Sequence, residues 1–263
     1  MKNNLKFNPG FDITVKTEPM GFDYGKGVFG TEVENRMLDD IRKSLQDPFC
    51  KGPNIVYSIA MDVGKNEHRN LLEQLHLLYG VVTYAAGRLG NEPIRSQGHI
   101  HKVSSYCGMS TPEVYEIWQG KAVIYMQESA KDNPGRCFAV EAMPGEVVIV
   151  PPGWAHATIS ADPSQPLTFG AWCDRDYGFD YEDVRAHKGL SWFPILDEKG
   201  SLNWQRNENY RESELIIKSP EKYENLGIVK DKSIYESFEE DPKRFLYVPR
   251  PQLKSEIWEN FTP

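Results

Sequence analysis

The sequence predicts a mostly β protein whose core is an antiparallel sandwich or a small barrel. From about residue 80, short runs rich in β-branched and aromatic residues recur, including GVVTYAA, KAVIYMQE and EVVIVPPG. Turn residues separate these runs, for example at Asn133-Pro134-Gly135 and at Pro144-Gly145. Closely spaced strands with such turns favour an antiparallel arrangement over an alternation of strands and helices.

The segments that flank this β region have a different character. Residues 34–46 place apolar side chains four apart, which predicts a short amphipathic helix, and residues 66–79 predict a second helical segment. After about residue 200 charged residues become more frequent and the regular alternation is lost. We therefore expect an N-terminal segment (1–50), a β-barrel domain (51–197) and a C-terminal extension packed on the core (198–263).

Composition narrows the functional class. The chain has 263 residues, of which 40% are hydrophobic and 26% charged, with a formal net charge of −8. No stretch concentrates basic residues as nucleic-acid binders do, and none approaches the roughly 20 apolar residues that cross a bilayer. The four cysteines lack a CxxC spacing, and the N-terminal residues lack the apolar run of a signal peptide. We expect a cytoplasmic protein with free thiols and with neither nucleic acid nor membrane as partner.

Three short motifs contain the candidate metal ligands. In GHIH, His99 and His101 lie two apart, so a strand would present both imidazoles on one face. Glu113 opens the strand EVYEIWQ, and His156 follows the run VPPGW. Each residue alone is an ordinary structural feature, but three imidazoles with a carboxylate match the preferences of a borderline divalent metal. Glu116 is the alternative carboxylate, although it would face the opposite side of the strand.

The order of these motifs resembles the two paired motifs of the cupin superfamily, with KVSSYCGMSTP as an insertion between them. The strings GHIH, EVYEIWQGKA, VPPGWAH and DYGFDYEDVRAHKGLS further resemble the cupin-type glucose-6-phosphate isomerases of archaea and some bacteria, over roughly residues 55–196. The resemblance implies a double-stranded β-helix (jelly-roll) barrel with short N-terminal helices. It also implies a cytoplasmic homodimer of glycolysis and gluconeogenesis that interconverts glucose 6-phosphate and fructose 6-phosphate.

The resemblance also assigns roles to particular residues. One divalent metal ion per subunit is implied, Fe²⁺ first, with Mn²⁺, Ni²⁺, Co²⁺ or Zn²⁺ as alternatives. The metal ligands would be His99, His101, Glu113 and His156, the catalytic residues Glu113 and Tyr115, and the substrate-binding residues Thr83, Ser96, Gly98 and Tyr181. Two positions depart from compact archaeal members, which carry histidine where this chain has Phe179 and tyrosine where it has Trp172.

Two rival functions remain open at this point. A cupin dioxygenase would use the same ligand set, and a non-enzymatic sugar-binding cupin would keep the barrel without turnover. A complete set of metal ligands argues against a barrel without enzymatic activity. The phosphate-binding group that the resemblance implies, formed by the hydroxyls of Thr83 and Ser96 and by Gly98, argues against the apolar pocket of an oxygenase. If the protein is an isomerase, two mechanisms are open: proton transfer through an enediol and a direct hydride shift. Arg95 and Lys102 could assist phosphate binding but are by default solvated charges.

Overall fold

A computed structural model describes residues 5–263. The strands are β1 (Ile13–Thr17), β2 (Met20–Tyr24), β3 (Val28–Phe29), β4 (Glu34–Met37), β5 (Ile55–Met61), β6 (Gly64–Lys65), β7 (Leu77–Tyr84), β8 (Arg88–Leu89), β9 (Glu92–Pro93), β10 (Ile100–His101), β11 (Glu113–Gln119), β12 (Ala122–Gln127), β13 (Cys137–Ala142), β14 (Val147–Val150), β15 (Ala155–Ser160), β16 (Leu167–Asp174), β17 (Phe179–Asp180), β18 (Trp192–Leu196), β19 (Leu202–Arg206) and β20 (Leu215–Lys218). The helices are α1 (Leu38–Ile41), α2 (Arg69–Gln74), α3 (Glu182–Ala186), α4 (Ile234–Glu240) and α5 (Ser255–Trp258). No helix within residues 5–263 is long and apolar enough to span a bilayer.

Two sheets form the body of the molecule. The larger has six strands in the order β14-β11-β16-β7-β5-β4, and each neighbouring pair is antiparallel. The smaller has the order β15-β12-β13-β20, in which only the last pair is parallel. The prediction of an all-β core is confirmed, and two such sheets fit the predicted cupin jelly roll.

A buried apolar cluster fills the space between the two sheets. It includes Tyr115 and Ile117 from the six-stranded sheet and Ile124 and Met126 from the four-stranded sheet. Because strand residues alternate between faces, the side chains that point inward from both sheets meet in this cluster. The inner face of the six-stranded sheet is therefore covered by the second sheet.

A second buried cluster covers the outer face of the six-stranded sheet. Trp172 of β16 stacks on Tyr235 with ring centroids 5.6 Å apart, and Phe238 and Phe245 contact the same indole. These three aromatic residues come from the C-terminal extension, and Phe11 of the N-terminal segment joins the cluster. Both ends of the described chain thus shield this face from water.

The helix predicted over residues 34–46 is wrong in its first part. Residues 34–37 form β4, which pairs with β5, and α1 begins only at Leu38. Pairing with a sheet edge overrides the local apolar spacing, which does not specify a helix by itself. The helix predicted over residues 66–79 is also too long, because α2 ends at Gln74 and β7 begins at Leu77.

The flanking segments contribute strands to both sheets. The N-terminal segment supplies β4 to the six-stranded sheet, and the C-terminal extension supplies β20 to the four-stranded sheet. The division at residues 50 and 197 stays a prediction. The run GVVTYAA lies largely in β7 between β16 and β5, so this strand offers no free edge for pairing between subunits.

Candidate metal centre and substrate pocket

The peptide groups of His99 and His156 hold the two metal motifs together. His99 N–H donates to the His156 carbonyl at 3.0 Å, and His156 N–H donates back at 2.9 Å. This antiparallel bridge brings the two imidazole rings to a centroid separation of 4.4 Å, while the ring of His101 lies 5.0 Å from that of His156. Residues more than fifty positions apart in the sequence therefore meet through backbone pairing.

Glu113 supplies a carboxylate to the same point. Its Oε2 atom lies 3.1 Å from Nε2 of His101 and 3.5 Å from Nε2 of His156. The Tyr115 hydroxyl donates to this oxygen at 2.6 Å, and the Cys173 thiol donates to Oε1 at 3.2 Å. The carboxylate is thus held from both sides in one orientation.

The outer ring nitrogens of two histidines are fixed by backbone carbonyls. Nδ1 of His101 lies 2.8 Å from the Thr111 carbonyl, and Nδ1 of His156 lies 3.1 Å from the Trp154 carbonyl. A carbonyl can only accept, so each Nδ1 carries a proton, and when the imidazole is neutral its Nε2 presents a lone pair inward. Such outer contacts are typical of imidazoles that ligate metals.

Four possible ligand atoms lie close enough together to hold one cation. One ligand atom from each of four residues lies within 4.8 Å of the others, the four being His99, His101, Glu113 and His156. Nε2 of His99 and Nε2 of His156 are buried without a hydrogen-bond partner among the described residues. A buried ring nitrogen without a partner costs free energy, and a metal ion at the centre of the cluster would satisfy both. The residues present therefore fit a divalent metal.

The charges of His99 and Glu113 also suit a cation, whereas burial, which would lower the pKa of His101, is outweighed by the hydrogen bond to Glu113. Burial, reinforced by the neighbouring imidazoles, holds the pKa of His99 well below its usual range. Burial would raise the pKa of Glu113, but its contacts with His101 and His156 outweigh this and hold the pKa well below the usual range. A neutral imidazole beside an ionised carboxylate is the protonation state in which a metal ion is bound.

A pocket opens beside the cluster between the two sheets. Its lining includes apolar, hydroxyl-bearing and charged side chains, namely Arg36, Tyr57, Ile59, Met61, Val82, Tyr84, Ser96, Gln97, His99, Glu113, Tyr115, Thr158, Phe169, Phe179 and Tyr181. Of the residues that the sequence assigns to substrate binding and catalysis, Ser96, Tyr115, Tyr181 and Glu113 thus line the pocket. Ser96 Oγ accepts a hydrogen bond from the Thr158 N–H at 3.1 Å.

The assignment of Thr83 to substrate binding needs correction. Val82 and Tyr84 of β7 line the pocket, so Thr83 between them points to the other face of the sheet. Its hydroxyl lies 3.0 Å from the Thr168 hydroxyl and is buried there. Gly98, also assigned to substrate binding, is not among the lining residues; its positive φ of 88° and the Leu190 side chain, 2.8 Å from a Cβ placed there, explain the glycine.

The structure shows where Phe179 and Trp172 lie, the two aromatic residues that differ from those of the compact archaeal proteins. Phe179 does line the pocket, with its ring centroid 4.5 Å from that of His99. Trp172, in contrast, lies in the outer-face cluster and donates its indole N–H to the Ile234 carbonyl at 3.3 Å. Cys173, the next residue in β16, is the one that contacts Glu113. Sequence reasoning missed Cys173, which strand alternation from a buried tryptophan could have indicated.

Comparisons with known proteins show the family to which the chain belongs. A family model described as glucose-6-phosphate isomerase matches residues 42–213. Over 203 residues the chain is 33% identical to the glucose-6-phosphate isomerase of Thermococcus litoralis, covering 74% of this chain and 97% of that protein. It is 31% identical to the Pyrococcus furiosus enzyme of the same name, with coverages of 74% and 98%. A solved structure of oxalate oxidase superimposes with a TM-score of 0.36 and 13% identity, over 47% of this chain and 54% of that chain. The chain belongs to the glucose-6-phosphate isomerase family.

Proposed function

We propose that this chain is an aldose–ketose isomerase that interconverts glucose 6-phosphate and fructose 6-phosphate. The observation that carries the proposal is that the matched family region, residues 42–213, contains the whole histidine–carboxylate cluster. The adjoining pocket joins this cluster to several hydroxyl groups and one arginine. Such a lining suits a polyhydroxy substrate with a carbonyl at one end and an anion at the other.

The same four residues are proposed to hold one divalent metal ion per subunit, with Fe²⁺ the first candidate and Mn²⁺, Ni²⁺, Co²⁺ and Zn²⁺ the others. The buried, unpartnered Nε2 atoms of His99 and His156 support this assignment. A divalent ion, when bound, supplies a Lewis acid that polarises the carbonyl group of the open-chain sugar. The ligand types alone do not select one metal among these.

Glu113 is proposed to carry the proton between C1 and C2 of the sugar. Its carboxylate lines the pocket and is ionised, and the contacts from Tyr115 and Cys173 hold it in one orientation. A positioned carboxylate can take a proton from C2 of glucose 6-phosphate and return it to C1. Tyr115 supports this step by donating to the carboxylate oxygen that faces the imidazoles.

The family resemblance further supports a homodimer that acts in the cytoplasm, in glycolysis and gluconeogenesis. Light scattering tests the oligomeric part directly, because the single chain has a mass of 30.1 kDa. A dimer mass at micromolar concentration agrees with the proposal, and the monomer mass contradicts it.

Metal removal tests the proposed chemistry. The purified chain should convert fructose 6-phosphate to glucose 6-phosphate, as measured by coupled oxidation of the product. Prolonged EDTA treatment should abolish the conversion, and added Fe²⁺ or Mn²⁺ should restore it, because the four ligands bind through neutral imidazoles and a carboxylate. His156→Ala is the matched variant, since it should lower metal content and turnover together.

Each contrary result points to a different error. Full activity in a preparation that elemental analysis shows to be metal-free contradicts the metal assignment. Oxygen uptake without an isomerised product would identify the dioxygenase alternative, whereas binding of fructose 6-phosphate without any product would identify a sugar-binding protein.

A further inference from the structure

Arg36 is the one arginine or lysine among the described residues that line the pocket. It belongs to β4, in the N-terminal segment, and precedes the residues 42–213 that match the family model. Neither the motifs nor the family match therefore pointed to it.

Strand register places Arg36 at this position. Its Cα pairs with that of Tyr57 in β5, and Tyr57 in turn pairs with Tyr84 in β7. Residues paired directly across neighbouring strands share one face of the sheet, and all three side chains line the pocket. The two phenol rings stack with centroids 4.7 Å apart, which gives the guanidinium a rigid neighbour.

The protein satisfies only some of the N–H donors of the Arg36 guanidinium. Its Nη2 contacts Glu34 at 2.7 Å, but the Glu34 side chain is 66% exposed, whereas that of Arg36 is 22% exposed. An ion pair with an exposed carboxylate contributes little, because water screens it. Nε of Arg36 is buried and has no hydrogen-bond partner within residues 5–263. A buried donor without a partner suits a ligand that brings acceptor oxygens.

The two other candidate cations do not serve this purpose. Arg95 is buried and fully engaged, since it donates to Glu92 at 2.6 Å, to the Ser44 carbonyl at 2.6 Å and to the Ser96 carbonyl at 3.0 Å. Lys102 is exposed and is not among the lining residues. Arg185 lies behind the lining, with its guanidinium 4.8 Å from the Tyr181 ring and its Nε donating to Gln97 at 2.9 Å. Among the described residues, Arg36 is therefore the arginine or lysine that lines the pocket itself.

We propose that Arg36 binds the phosphate group of the substrate, with the hydroxyl groups of Tyr57, Ser96 and Tyr181 around it. The inference rests on the proposed function, because it names the group that recognises the anionic end of that substrate. A guanidinium binds phosphate oxygens with paired N–H donors, and its unpartnered Nε supplies one of them. The N-terminal segment thus contributes Arg36 to a pocket whose other lining residues belong to the matched family region, residues 42–213.

The test compares Arg36→Gln with Arg88→Gln, which removes the same charge from a residue that contacts the Asp197 carbonyl and does not line the pocket. Calorimetric titration with inorganic phosphate measures anion binding without turnover, and inhibition by sorbitol measures binding of the uncharged sugar chain. Arg36→Gln should weaken phosphate binding and raise KM for fructose 6-phosphate by ~10–100-fold, the range for hydrogen bonds to charged groups. Inhibition of Arg36→Gln by sorbitol should equal that of the wild type. The Arg88→Gln variant should match the wild type in phosphate binding and in KM.

Arg36→Lys separates charge from packing. It keeps the cation but not the paired donors, so it should retain part of the phosphate affinity, and a loss equal to that of Arg36→Gln overturns the proposal. Equal weakening of phosphate and sorbitol, or unchanged phosphate binding in Arg36→Gln, overturns it as well. If the wild type binds phosphate but does not isomerise fructose 6-phosphate, the proposed function fails while the anion site stands. If the wild type isomerises and Arg36→Gln binds phosphate normally, only the present inference fails.

Discussion

Glu113 and Glu116 lie three residues apart in β11 and face opposite sides of the six-stranded sheet. Glu113 points inward, where contacts with His101 and His156 outweigh burial and hold its pKa well below the usual range. Glu116 points outward into the aromatic cluster, where burial raises its pKa to about 8. There it accepts hydrogen bonds from the Trp118 indole at 2.9 Å and from the Ile234 N–H at 2.7 Å.

The difference shows that the neighbouring groups determine the charge and the role of a buried carboxylate. His101 and His156 keep Glu113 ionised and available to a cation or a substrate proton. Glu116 accepts hydrogen bonds from two uncharged N–H donors, so it serves as an anchor between the sheet and the start of α4. One face of β11 is therefore suited to chemistry and the other to attachment of the C-terminal extension.

Replacing Glu113 should have the largest effect on turnover. Glu113→Gln keeps the shape but cannot carry a proton, so kcat should fall by ~10²–10⁴, the usual contribution of a positioned acid or base. Assays at saturating Mn²⁺ and a thermal melt separate turnover from metal occupancy and folding, and the melting temperature should change little. Glu116→Gln is the matched control and should keep kcat close to that of the wild type.

The reaction in heavy water checks the same residue independently. Proton transfer through an enediol should place deuterium at C2 of glucose 6-phosphate formed by the wild type. Absence of deuterium, together with an active Glu113→Gln variant at saturating metal, would leave Glu113 as a ligand and favour a hydride shift.

Replacing Glu116 should change how stability depends on pH. In the folded protein its pKa is about 8, above the ordinary value of 4.5, so the folded state holds a proton that the unfolded state releases. This group therefore lowers the free energy of unfolding as pH rises from about 4.5 to about 8, and has no further effect above that. Glu116→Gln removes this dependence and should gain on the order of 3 kcal/mol relative to the wild type between pH 5 and pH 8.

Urea denaturation of both proteins at pH 5, 6.5 and 8 measures this difference. Free energies of unfolding that change in parallel for the two proteins would show that Glu116 is ionised in the folded state at all three values. The carboxylates on the two faces of β11 would then have the same charge, and the contrast between them would rest on their hydrogen-bond partners alone.

Replacing Tyr115 should have the smallest effect. Tyr115→Phe removes one hydrogen bond to Glu113 and leaves the four proposed metal ligands in place. The loss of one hydrogen bond to a charged carboxylate corresponds to ~1.5 kcal/mol at the low end of the range, so we expect kcat to fall on the order of tenfold. Metal content measured by elemental analysis should match that of the wild type. A loss as large as that of Glu113→Gln would assign the proton transfer to the tyrosine.

Much of the site could be predicted because its spacing follows strand geometry. The two histidines of GHIH share a face, and the distinction between Glu113 and Glu116 depends only on alternation within one strand. The short, punctuated β runs likewise predicted the all-β core. These features are local, so they can be read without knowing which strands pair.

The remaining features depend on pairing over long distances. Arg36 enters the pocket because β4 pairs with β5, whereas its local sequence predicted a helix. The resemblance assigns Thr83 to the pocket, but pairing with β16 and β5 sets which face of β7 points inward, and Thr83 lies on the other face. The contact of Cys173 with Glu113 depends in the same way on the register between β16 and β11.

The outer-face cluster has a consequence for how the chain is made. Trp118 and Trp172 are translated well before Tyr235, Phe238 and Phe245, which cover them in the finished molecule. During synthesis this aromatic face of the sheet therefore stays exposed until residues 235–245 have left the ribosome. Exposed apolar surface of this kind promotes aggregation. A message interrupted near codon 213 would encode every proposed metal ligand and yet release a chain with an uncovered aromatic surface.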